Sequence, residues 1–425
     1  MKIAIITFGC KVNQYESEYM AEVLEENGHI IVPEESQADV YIINSCAVTH
    51  TAENKVKNRI RRIKRAYPSS KVMVVGCYPQ LSPEEVLKVG ADVVLGNKEK
   101  KEIWKYISLE KPSFFVDRAY WLRDGKVEKL KAGYIEKTRA FVKVEDGCDR
   151  SCTYCAIRLA RGTKIRSKPI EQSVEEIEGL VKMGFKEIVI TGINLGRYGI
   201  DTGYHLTDLL WEIEKIEGDF RIRLSSLNPE DVDEKIYNYF RNSSKVCHHL
   251  HLSLQSGSNR ILKKMNRSYT KEEFMNIVES LRKIDPYFSI TTDVIVGFPG
   301  ETERDFLESV EAIKEAKFSR VHAFRYSKRA GTLAAIMKDQ IPGNVKRDRI
   351  NYLENVAKEV AKEYRKNLVG KRAKVLVENK RNGFYRGYDQ YYIYHEMPSG
   401  KTGEIRETKI VHVTDEGVVS VEARD

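Results

Sequence analysis

Short apolar runs alternate with amphipathic segments over the first hundred residues. Helical periodicity predicts one helix from about Gln14 to Glu26 and another from about Ala52 to Ala66. Four apolar runs are predicted as buried strands: IAIITF, DVYIIN, KVMVVG and DVVLG. Because strands that alternate with helices are typical of βα units, this pattern predicts a parallel α/β domain.

A second series of strands and helices follows a charged stretch. That stretch runs from about Lys98 to Thr138, and it predicts a helix followed by a connector. From Phe141 onward, five helical segments separate six strand candidates: FVKVED, EIVITG, RIRLSS, HLHLSLQS, ITTDVIVG and RVHAFRYS. Consecutive parallel strands with right-handed crossovers close toward a barrel, so six units predict a partial (β/α)6 barrel.

The last part of the chain has a different pattern. A long charged helix is predicted from about Val345 to Asn367, and short β-rich runs with Gly and Asn turns follow it. Such runs are typical of a small antiparallel β-barrel of about 60 residues. The sequence therefore predicts an α/β protein with three domains, at residues 1–137, 138–366 and 367–425.

Composition agrees with a folded chain, since 41% of the residues are hydrophobic, 31% are charged and only 11 are proline. No apolar run approaches the roughly 18 residues of a membrane span, and the MKIAIITFGC start has no signal-type cleavage region. We therefore expect a cytoplasmic protein without a membrane partner. The seven cysteines would stay reduced there, which makes metal ligation their leading use. The net charge of +9 is compatible with a polyanionic partner.

Cys148, Cys152 and Cys155 form a CxxxCxxC motif directly after the first strand of the predicted barrel. Three thiolates at this spacing can hold three irons of a 4Fe-4S cluster. The fourth iron then stays open for a substrate or cofactor, as in catalytic metal sites generally. The alternative is a zinc knuckle, but no His or Cys follows at the spacing of a zinc finger.

Cys10, Cys46 and Cys77 are distant in sequence, yet each follows a predicted parallel strand. Ligands of open α/β sheets gather at the carboxyl ends of the strands, so the three thiols are predicted to meet there as a second cluster site. Three unrelated buried cysteines are the alternative. Their shared position at strand ends favours the cluster.

With both triads considered, the whole chain resembles the radical S-adenosylmethionine methylthiotransferases. The matching segments are GCKVN, NSCAVT, GCYPQ, TGINLGRYG, RLSSLNPE, LQSGSNRILKKMNRSYT, DVIVGFPGETERDF and YSKRAGT. The resemblance implies an amino-terminal domain with an auxiliary cluster, a radical domain and a carboxyl-terminal TRAM module. The GCKVN start is similar to the branch that acts on threonylcarbamoyladenosine in tRNA. Ser253 and Arg325 depart from the family pattern, near the expected mouth of the cavity.

The resemblance also implies a mechanism, in which Cys148, Cys152 and Cys155 bind the radical-generating 4Fe-4S cluster. The auxiliary 4Fe-4S cluster would be bound by Cys10, Cys46 and Cys77. One S-adenosylmethionine would methylate a sulfur on the auxiliary cluster, and a second would yield the 5′-deoxyadenosyl radical that removes hydrogen from carbon 2 of the purine. The implied partners are the anticodon stem-loop of tRNA, an electron donor such as flavodoxin or ferredoxin, and a sulfur donor.

Polar or small residues at the ends of the barrel strands, and one ring in the cluster loop, are the expected contacts of S-adenosylmethionine. They are Tyr154, Thr191, Gly192, Asn194, Ser225, Ser226, Gln255, Gly257, Val296 and Gly297. For each, packing or turn geometry is the alternative role. A nearby group of Cys247, His248, His249 and His251 alternates between two strand faces, so we expect a structural role rather than a metal site.

Two basic regions are candidates for RNA binding. The helix from Lys55 to Arg65 has seven basic residues around an apolar inner face of Val56, Ile60 and Ile63. The carboxyl module contributes Lys374, Arg381 and Arg386, interleaved with the rings of Phe384, Tyr385 and Tyr388. Basic groups beside exposed rings suit a single-stranded RNA loop. A solvated charged face and an aromatic barrel core are the alternatives.

The sequence thus favours a tRNA methylthiotransferase that modifies threonylcarbamoyladenosine beside the anticodon. Related enzymes that act on isopentenyladenosine in tRNA, or on an aspartate of a small-subunit ribosomal protein, share every cluster residue. The non-enzymatic alternative is an iron-sulfur protein that binds RNA or carries electrons. Two open three-cysteine sites argue against that alternative.

Overall fold

The computed structural model describes residues 1–47, 49–119, 125–131 and 138–423. Three sheet systems follow one another along the chain: a parallel sheet, a partial barrel and a closed small barrel. The predicted α/β class is confirmed. The predicted boundary at 137/138 touches residues 132–137, which lie outside the described residues.

The amino-terminal sheet has six parallel strands, in the order β2-β1-β3-β4-β5-β6. The strands are β1 (Lys2–Thr7), β2 (Ile30–Val32), β3 (Val40–Ser45), β4 (Lys71–Gly76), β5 (Val93–Leu95) and β6 (Ser113–Phe115). The four predicted strands are confirmed. β2 and β6 were not predicted, because each has only three residues and lies at a sheet edge, where little side-chain burial marks the sequence.

The helices of this segment are α1 (Lys11–Glu26), α2 (His50–Ala66), α3 (Cys77–Leu81), α4 (Pro83–Lys88) and a 3₁₀ helix (Glu99–Tyr106). α1 begins at Lys11 rather than at the predicted Gln14, because the chain leaves the extended conformation directly after Cys10. Thr49 caps α2 by accepting a hydrogen bond from the Ala52 backbone, so this helix begins just before the predicted Ala52. The predicted connector is described only in part, since residues 120–124 and 132–137 lie outside the described ranges.

The central segment contains the predicted six parallel strand units. Its strands are β7 (Arg139–Asp146), β8 (Arg166–Ser167), β9 (Glu187–Gly192), β10 (Arg221–Leu224), β11 (Ser226–Leu227), β12 (His249–Leu252), β13 (Ser289–Val296) and β14 (Arg320–Arg325). They form two sheets, β10-β9-β7-β8 and β11-β12-β13-β14. A parallel bridge between Ile222 and Val246 joins the two sheets, so the strands continue as one partial barrel. The short β8 was not predicted, and it pairs antiparallel to β7.

Helices cover the outside of this barrel and bury an apolar face against the strands. They are α6 (Ile170–Lys182), α7 (Leu206–Glu214), α8 (Glu234–Asn242), α9 (Asn259–Lys264), α10 (Lys271–Ile284), α11 (Glu303–Ala316) and α13 (Gly343–Lys366). Two short helices of the same segment, α5 (Ile157–Arg161) and α12 (Leu333–Ile336), contribute to other apolar clusters. Capping boxes of Thr270 with Glu273, and of Thr302 with Asp305, fix where α10 and α11 begin. α13 agrees with the predicted long helix to within its end residues.

The carboxyl-terminal strands close into a barrel, in the order β15-β16-β17-β19-β18. They are β15 (Arg372–Arg381), β16 (Phe384–Tyr388), β17 (Tyr394–Met397), β18 (Ile405–Val413) and β19 (Val418–Glu422). Four of the pairings are antiparallel, as predicted, and the β17–β19 pairing is parallel. Within the described ranges, every helix is too short or too polar to cross a membrane.

The loop between β16 and β17 attaches this small barrel to the amino ends of the large barrel's strands. Arg223 donates to the Asp389 carbonyl at 2.8 Å, and Arg221 donates to the Tyr388 carbonyl at 2.9 Å. Both guanidinium groups also bond the buried Glu187 carboxylate. The loop therefore closes the end of the partial barrel that is opposite the cysteine motif.

Candidate active site

The CxxxCxxC loop lies at the carboxyl end of β7 and leads into α5. Gly147 has a φ of +104°, and a Cβ there would collide with the Lys164 carbonyl, so the chain turns only with glycine at this position. The Cys148 backbone N–H donates to the Gly162 carbonyl at 3.1 Å, which holds the start of the loop against the end of α5. Burial raises the pKa of the Cys148 thiol to about 12, and the nearby Cys155 and Cys152 act in the same direction. The structure therefore brings these three thiols together, as the spacing predicted.

Two polar side chains donate to this triad. Arg267 donates to Cys152 Sγ at 3.1 Å, and Asn194 Nδ2 lies 3.5 Å from Cys148 Sγ. Asn228 links the two donors, because it accepts from Arg267 at 2.7 Å and donates to Asn194 at 2.8 Å. Hydrogen bonds of this kind stabilise the thiolate form that iron needs.

The second triad lies at the carboxyl edge of the amino-terminal sheet. Cys10 follows β1, Cys46 follows β3, and Cys77 is the first residue after β4. A Cβ on Gly9 would lie 3.2 Å from Cys46 Cβ, so the β1 turn packs directly on Cys46. Desolvation raises the pKa of the Cys10 thiol; the charge of Arg161 opposes this shift and that of Cys77 adds to it. The three thiols therefore converge because their strands end at the same edge of the sheet, although the cysteines are far apart in sequence.

Arg161, at the end of α5, connects the amino-terminal triad to the segment that carries the radical triad. Its Nε donates to Cys77 Sγ at 3.3 Å, and its Nη2 donates to Asn13 Oδ1 at 3.0 Å and to Glu16 Oε2 at 2.9 Å. The side chain is 1% exposed. Burial alone would raise the pKa of Glu16, but Arg161 and two lysines hold that pKa well below its usual range. Arg161, which lies just after the radical motif, thus supplies a hydrogen-bond donor to the amino-terminal triad.

Sequence reasoning singled out Asn194 but not the other polar partners of the thiols. Arg267 and Asn13 lie within two of the matching segments, LQSGSNRILKKMNRSYT and GCKVN, and Arg161 lies in LARGTK, shortly after the CxxxCxxC motif. For Arg161 and Asn13, the available signal was a polar residue a few positions from a ligand cysteine.

Each triad has the composition that a 4Fe-4S cluster requires, with three thiols and no fourth protein ligand in the motif. Within the described ranges, no three Cys, His, Asp or Glu side chains converge tightly enough for a single metal ion. A cluster does not need such convergence, because each thiolate binds a different iron. The residues therefore fit a cluster at each triad.

A cavity of about 190 Å³ opens beside the radical triad. Its wall includes Cys155, Arg325 and two predicted cofactor contacts, Tyr154 and Gln255. Gln255 adopts a left-handed φ of 65°. Further wall residues come from β13, from β14 and its following loop, and from the amino-terminal segment: Asp293, Ile295, Phe324, Tyr326 and Thr49. The cavity thus lies where the first two segments meet.

Glu145 and Ser225 present unused polar atoms near the radical triad. Glu145 is fully buried and accepts one hydrogen bond, from the Asn194 backbone at 2.7 Å, while its Oε1 has no partner among the described residues. Burial raises the pKa of this carboxyl well above its usual range. The Ser225 hydroxyl is likewise buried without a partner in the described part of the chain. Such atoms fit the ammonium and hydroxyl groups of S-adenosylmethionine.

The other predicted contacts lie at different places around the strand ends. Gly192 pairs with Glu145, and an added Cβ there would press on that carboxylate. Thr191 precedes it on β9 and is buried, and Ser226, after Ser225, is exposed.

Three predicted contacts lie away from the cavity wall. Gly257 packs on the α11 backbone, where an added Cβ would lie 2.5 Å from the Glu308 carbonyl oxygen. Gly297 lies under Lys346, and Val296 is fully buried. Because side chains alternate along a strand, the wall positions of β13 are taken by its residues 293 and 295 instead.

The histidines near Cys247 take structural partners, as we expected. His248 bonds Asp285 at 2.7 Å, whereas His249 and His251 share the Thr291 hydroxyl at 3.2 and 3.0 Å on the opposite face. Ser253 is buried, its carbonyl accepts from Tyr269, and it is not among the residues that line the cavity.

The basic surfaces are only partly free. In α2 the apolar inner face is buried as predicted, and three of the seven cations form ion pairs: Lys57 with Glu85, Arg59 with Glu34 and Lys64 with Asp92. On the small barrel, Lys374 and Arg381 are exposed. Arg386 pairs with Glu396 at 2.7 Å.

Comparison with known proteins places this arrangement in a family. Residues 2–96 match the model described as uncharacterized protein family UPF0004, and residues 142–313 match the radical SAM superfamily. A Thermotoga maritima protein named threonylcarbamoyladenosine tRNA methylthiotransferase MtaB is 49% identical over 99% of this chain and 97% of its own length. The chain belongs to the radical S-adenosylmethionine methylthiotransferases. It is therefore an enzyme that transfers a sulfur-containing group.

Other relatives lie in a sister branch. A Carboxydothermus hydrogenoformans protein named tRNA-2-methylthio-N(6)-dimethylallyladenosine synthase is 39% identical, and the match covers 88% of each chain. Among solved structures, the radical S-adenosylmethionine methyltransferase TsrM from Kitasatospora setae matches with a TM-score of 0.58 at 16% identity, over 79% of this chain and 77% of that one. That likeness supports the fold alone.

Proposed function

We propose that this enzyme adds a methylthio group to carbon 2 of threonylcarbamoyladenosine beside the anticodon of tRNA. The observation that carries the proposal is the pair of three-cysteine sites, with Arg161 of the radical segment donating to Cys77, in a chain that matches a relative of that name along nearly its whole length. An aromatic C–H bond offers neither an acidic proton nor a leaving group, so the reaction needs radical chemistry.

The radical triad, Cys148, Cys152 and Cys155, would hold the cluster that opens one iron to S-adenosylmethionine. When bound, the cluster and this cofactor supply a 5′-deoxyadenosyl radical. Glu145 and Asn194 would hold the cofactor's polar end, because Asn194 lies beside Cys148 and its backbone donates to Glu145. Tyr154 and Phe324 give the cavity an aromatic wall that limits water near the reacting carbon.

The other triad, Cys10, Cys46 and Cys77, would hold the auxiliary cluster that supplies sulfur. Arg161 keeps the Cys77 thiol facing that site and ties it to the radical segment. The three proposed domains are residues 1–137, 138–366 and 367–425. The first would hold the auxiliary cluster and the second the radical cluster.

The closed carboxyl-terminal barrel is proposed as a TRAM-like module for the anticodon stem-loop. Lys374 and Arg381 present exposed charge there, and exposed Phe384 offers a ring for stacking a base. Arg386 would contribute less, because it is paired. We also propose an electron donor such as flavodoxin or ferredoxin, a sulfur donor and a cytoplasmic location.

The second candidate substrate is dimethylallyladenosine (isopentenyladenosine) in tRNA, since relatives of that name match most of the chain. A competition experiment separates the two. The enzyme, loaded with iron and sulfide, is given two anticodon stem-loops that differ only in the adenosine substituent, and the products are measured by nucleoside mass spectrometry. We expect the methylthio group on threonylcarbamoyladenosine, and product on the dimethylallyl nucleoside alone would assign the enzyme to the sister branch.

A further inference from the structure

The outer side of α2 is a basic surface that the proposed function does not use. Val56, Ile60 and Ile63 are buried against the amino-terminal sheet, so the opposite side of the helix faces solvent. Seven exposed residues on that side define the outer face of α2: Thr51, Asn54, Lys55, Asn58, Arg61, Arg62 and Arg65.

The positive charge of this outer face is unbalanced. Within the described ranges, its one lysine and three arginines form no ion pair, whereas the other three cations of the helix each pair with a carboxylate. Glu53 is the single acidic residue of α2, and it is buried on the other side. A solvated face usually mixes both signs, as α13 does with exposed Glu354, Lys358 and Glu359. A face with cations alone therefore indicates an anionic partner.

Uncharged hydrogen-bonding groups lie among these cations. Thr51, Asn54 and Asn58 present a hydroxyl and two amides on the same exposed side. In protein–nucleic-acid interfaces, such groups donate to phosphate oxygens alongside lysine and arginine. The outer face thus has the composition that binds the backbone of a nucleic acid.

The start of α2 is fixed to the wall of the cavity. Thr49, which caps the helix, lines that cavity together with Ser327. The His50 backbone N–H donates to the Ser327 hydroxyl at 3.3 Å, and a buried ion pair joins Glu53 of the helix to Arg329. The outer face therefore has a defined position relative to the cavity.

We propose that the outer face of α2 binds the phosphate backbone of the anticodon arm while the target adenosine occupies the cavity. At a rise of about 1.5 Å per residue, Lys55 lies about 9 Å along the helix from Thr49, and Arg65 lies about 24 Å from it. An RNA with its target base in the cavity places the neighbouring nucleotides outside the cavity, within this range.

The inference rests on the proposed function, because it takes the anticodon arm as the substrate, but it does not depend on the adenosine substituent. Contacts to phosphates fix the orientation of a nucleic acid and carry no sequence information. The outer face would therefore hold the RNA over the cavity, in addition to the TRAM-like module. Its residues are positioning residues, and they act on affinity rather than on the chemical step.

The test measures how salt changes the affinity for a fluorescent anticodon stem-loop that contains threonylcarbamoyladenosine. The cluster-loaded wild type is compared with a triple variant of the outer face: Lys55→Gln, Arg62→Gln and Arg65→Gln. A matched control removes the same charge from exposed lysines on α8, α10 and α13: Lys235→Gln, Lys283→Gln and Lys358→Gln. Iron content and the urea midpoint verify that each variant is folded.

We expect the triple variant to bind about tenfold to a hundredfold more weakly at about 0.1 M salt. Its salt slope should fall by about 2, at about 0.7 for each lost phosphate contact. The control should stay within about twofold of the wild type, because screened charges far from the RNA contribute little. At saturating RNA, the triple variant should keep the kcat of the wild type while its KM rises, as when binding alone is lost.

An unchanged salt slope in the triple variant, or an equal loss of affinity in the control, overturns the inference. A loss that disappears when the same stem-loop carries unmodified adenosine also overturns it, because phosphate contacts do not depend on the substituent. If the triple variant loses its iron, Arg62→Gln is measured alone, and a slope that does not fall by about 0.7 overturns the inference. Methylthio product on dimethylallyladenosine alone refutes the proposed function instead, and the effect of the outer face on binding then persists.

Discussion

The two cysteine triads are built in opposite ways. Cys148, Cys152 and Cys155 lie in one loop, which Gly147 turns and the Gly162 carbonyl anchors. The amino-terminal triad takes one residue from the end of each of three strands, so the whole sheet must fold before its thiols meet. The first site is local in sequence, and the second depends on tertiary structure.

The triads also differ in what supports their thiols. Arg267 and its amide partners belong to the same barrel as the thiols they contact. Arg161 instead crosses from α5 to Cys77, and Asn97 donates to the Ala160 carbonyl at 2.9 Å in the same interface. The Cys77 thiol therefore gains its arginine donor only when the barrel packs on the sheet.

The largest expected effect separates the roles of the triads. We expect Cys152→Ala to abolish 5′-deoxyadenosine formation, because the cofactor loses its iron site. Cys77→Ala should leave that cleavage largely intact and stop the formation of methylthio product. Chromatography of 5′-deoxyadenosine and mass spectrometry of the nucleosides measure both. Equal loss of cleavage in the two variants contradicts the assignment of separate roles.

Arg161 and Arg267 each contact one triad, and their substitutions should have different effects. Arg161→Gln leaves the buried carboxylates of Glu16 and Asp146 short of a cation, which should lower the free energy of unfolding by about 3–5 kcal/mol. Urea unfolding of the metal-free protein measures this change. Arg161→Lys, which keeps the charge but not the fork of donors, should recover part of the loss.

Arg267→Gln should act on the other triad. We expect 5′-deoxyadenosine formation to fall by about tenfold, as when one charge-assisted hydrogen bond is lost, while iron at the amino-terminal triad is retained. Iron analysis in a Cys148→Ala background isolates that retained cluster. Unchanged cleavage in Arg267→Gln shows that its contact with Cys152 is not required.

Thiol reactivity in the metal-free protein gives a finer comparison. Because burial raises the pKa of Cys148 to about 12, its thiol stays protonated at pH 8.5. Iodoacetamide should therefore label Cys148 at least about tenfold more slowly in the folded protein than in urea, where its ordinary pKa returns. Peptide mass spectrometry follows the labelling. Equal rates in the two states mean that the folded loop does not desolvate this thiol.

The smallest effect concerns the RNA surface, which contacts neither triad. Replacing exposed Lys374 or Arg381 with Ala should weaken tRNA binding and reduce the salt slope by about 0.7 for each lost contact to a single-stranded phosphate. Arg386→Ala is the matched control, because its ion pair with Glu396 leaves it less available. Affinity is measured by fluorescence anisotropy from low to high salt, with iron content unchanged. An equal loss in all three variants contradicts the ranking.

The sequence predicted most of the fold, because long apolar runs and strong periodicity mark its main strands and helices. It also predicted both triads, one from spacing and the other from strand ends. It missed β2, β6 and β8, whose two or three residues carry too little pattern. The cofactor contacts predicted at Gly257, Val296 and Gly297 stay predictions, while residues 293 and 295 of β13 line the cavity.

The arginine contacts could not be predicted from pattern alone. Arg161 reaches a cysteine 84 positions away, across an interface between two segments, and nothing local to LARGTK specifies that partner. These contacts depend on tertiary structure, which local sequence patterns do not specify.

The most direct test of this account follows one methyl group. Loaded enzyme is incubated without oxygen with tRNA that contains threonylcarbamoyladenosine, reductant, sulfide and S-adenosylmethionine labelled in its methyl group, and the nucleosides are analysed by mass spectrometry. We predict a labelled methylthio group on threonylcarbamoyladenosine, with 5′-deoxyadenosine formed alongside. Formation of 5′-deoxyadenosine without any methylthio nucleoside, or labelled product only on dimethylallyladenosine, contradicts the account.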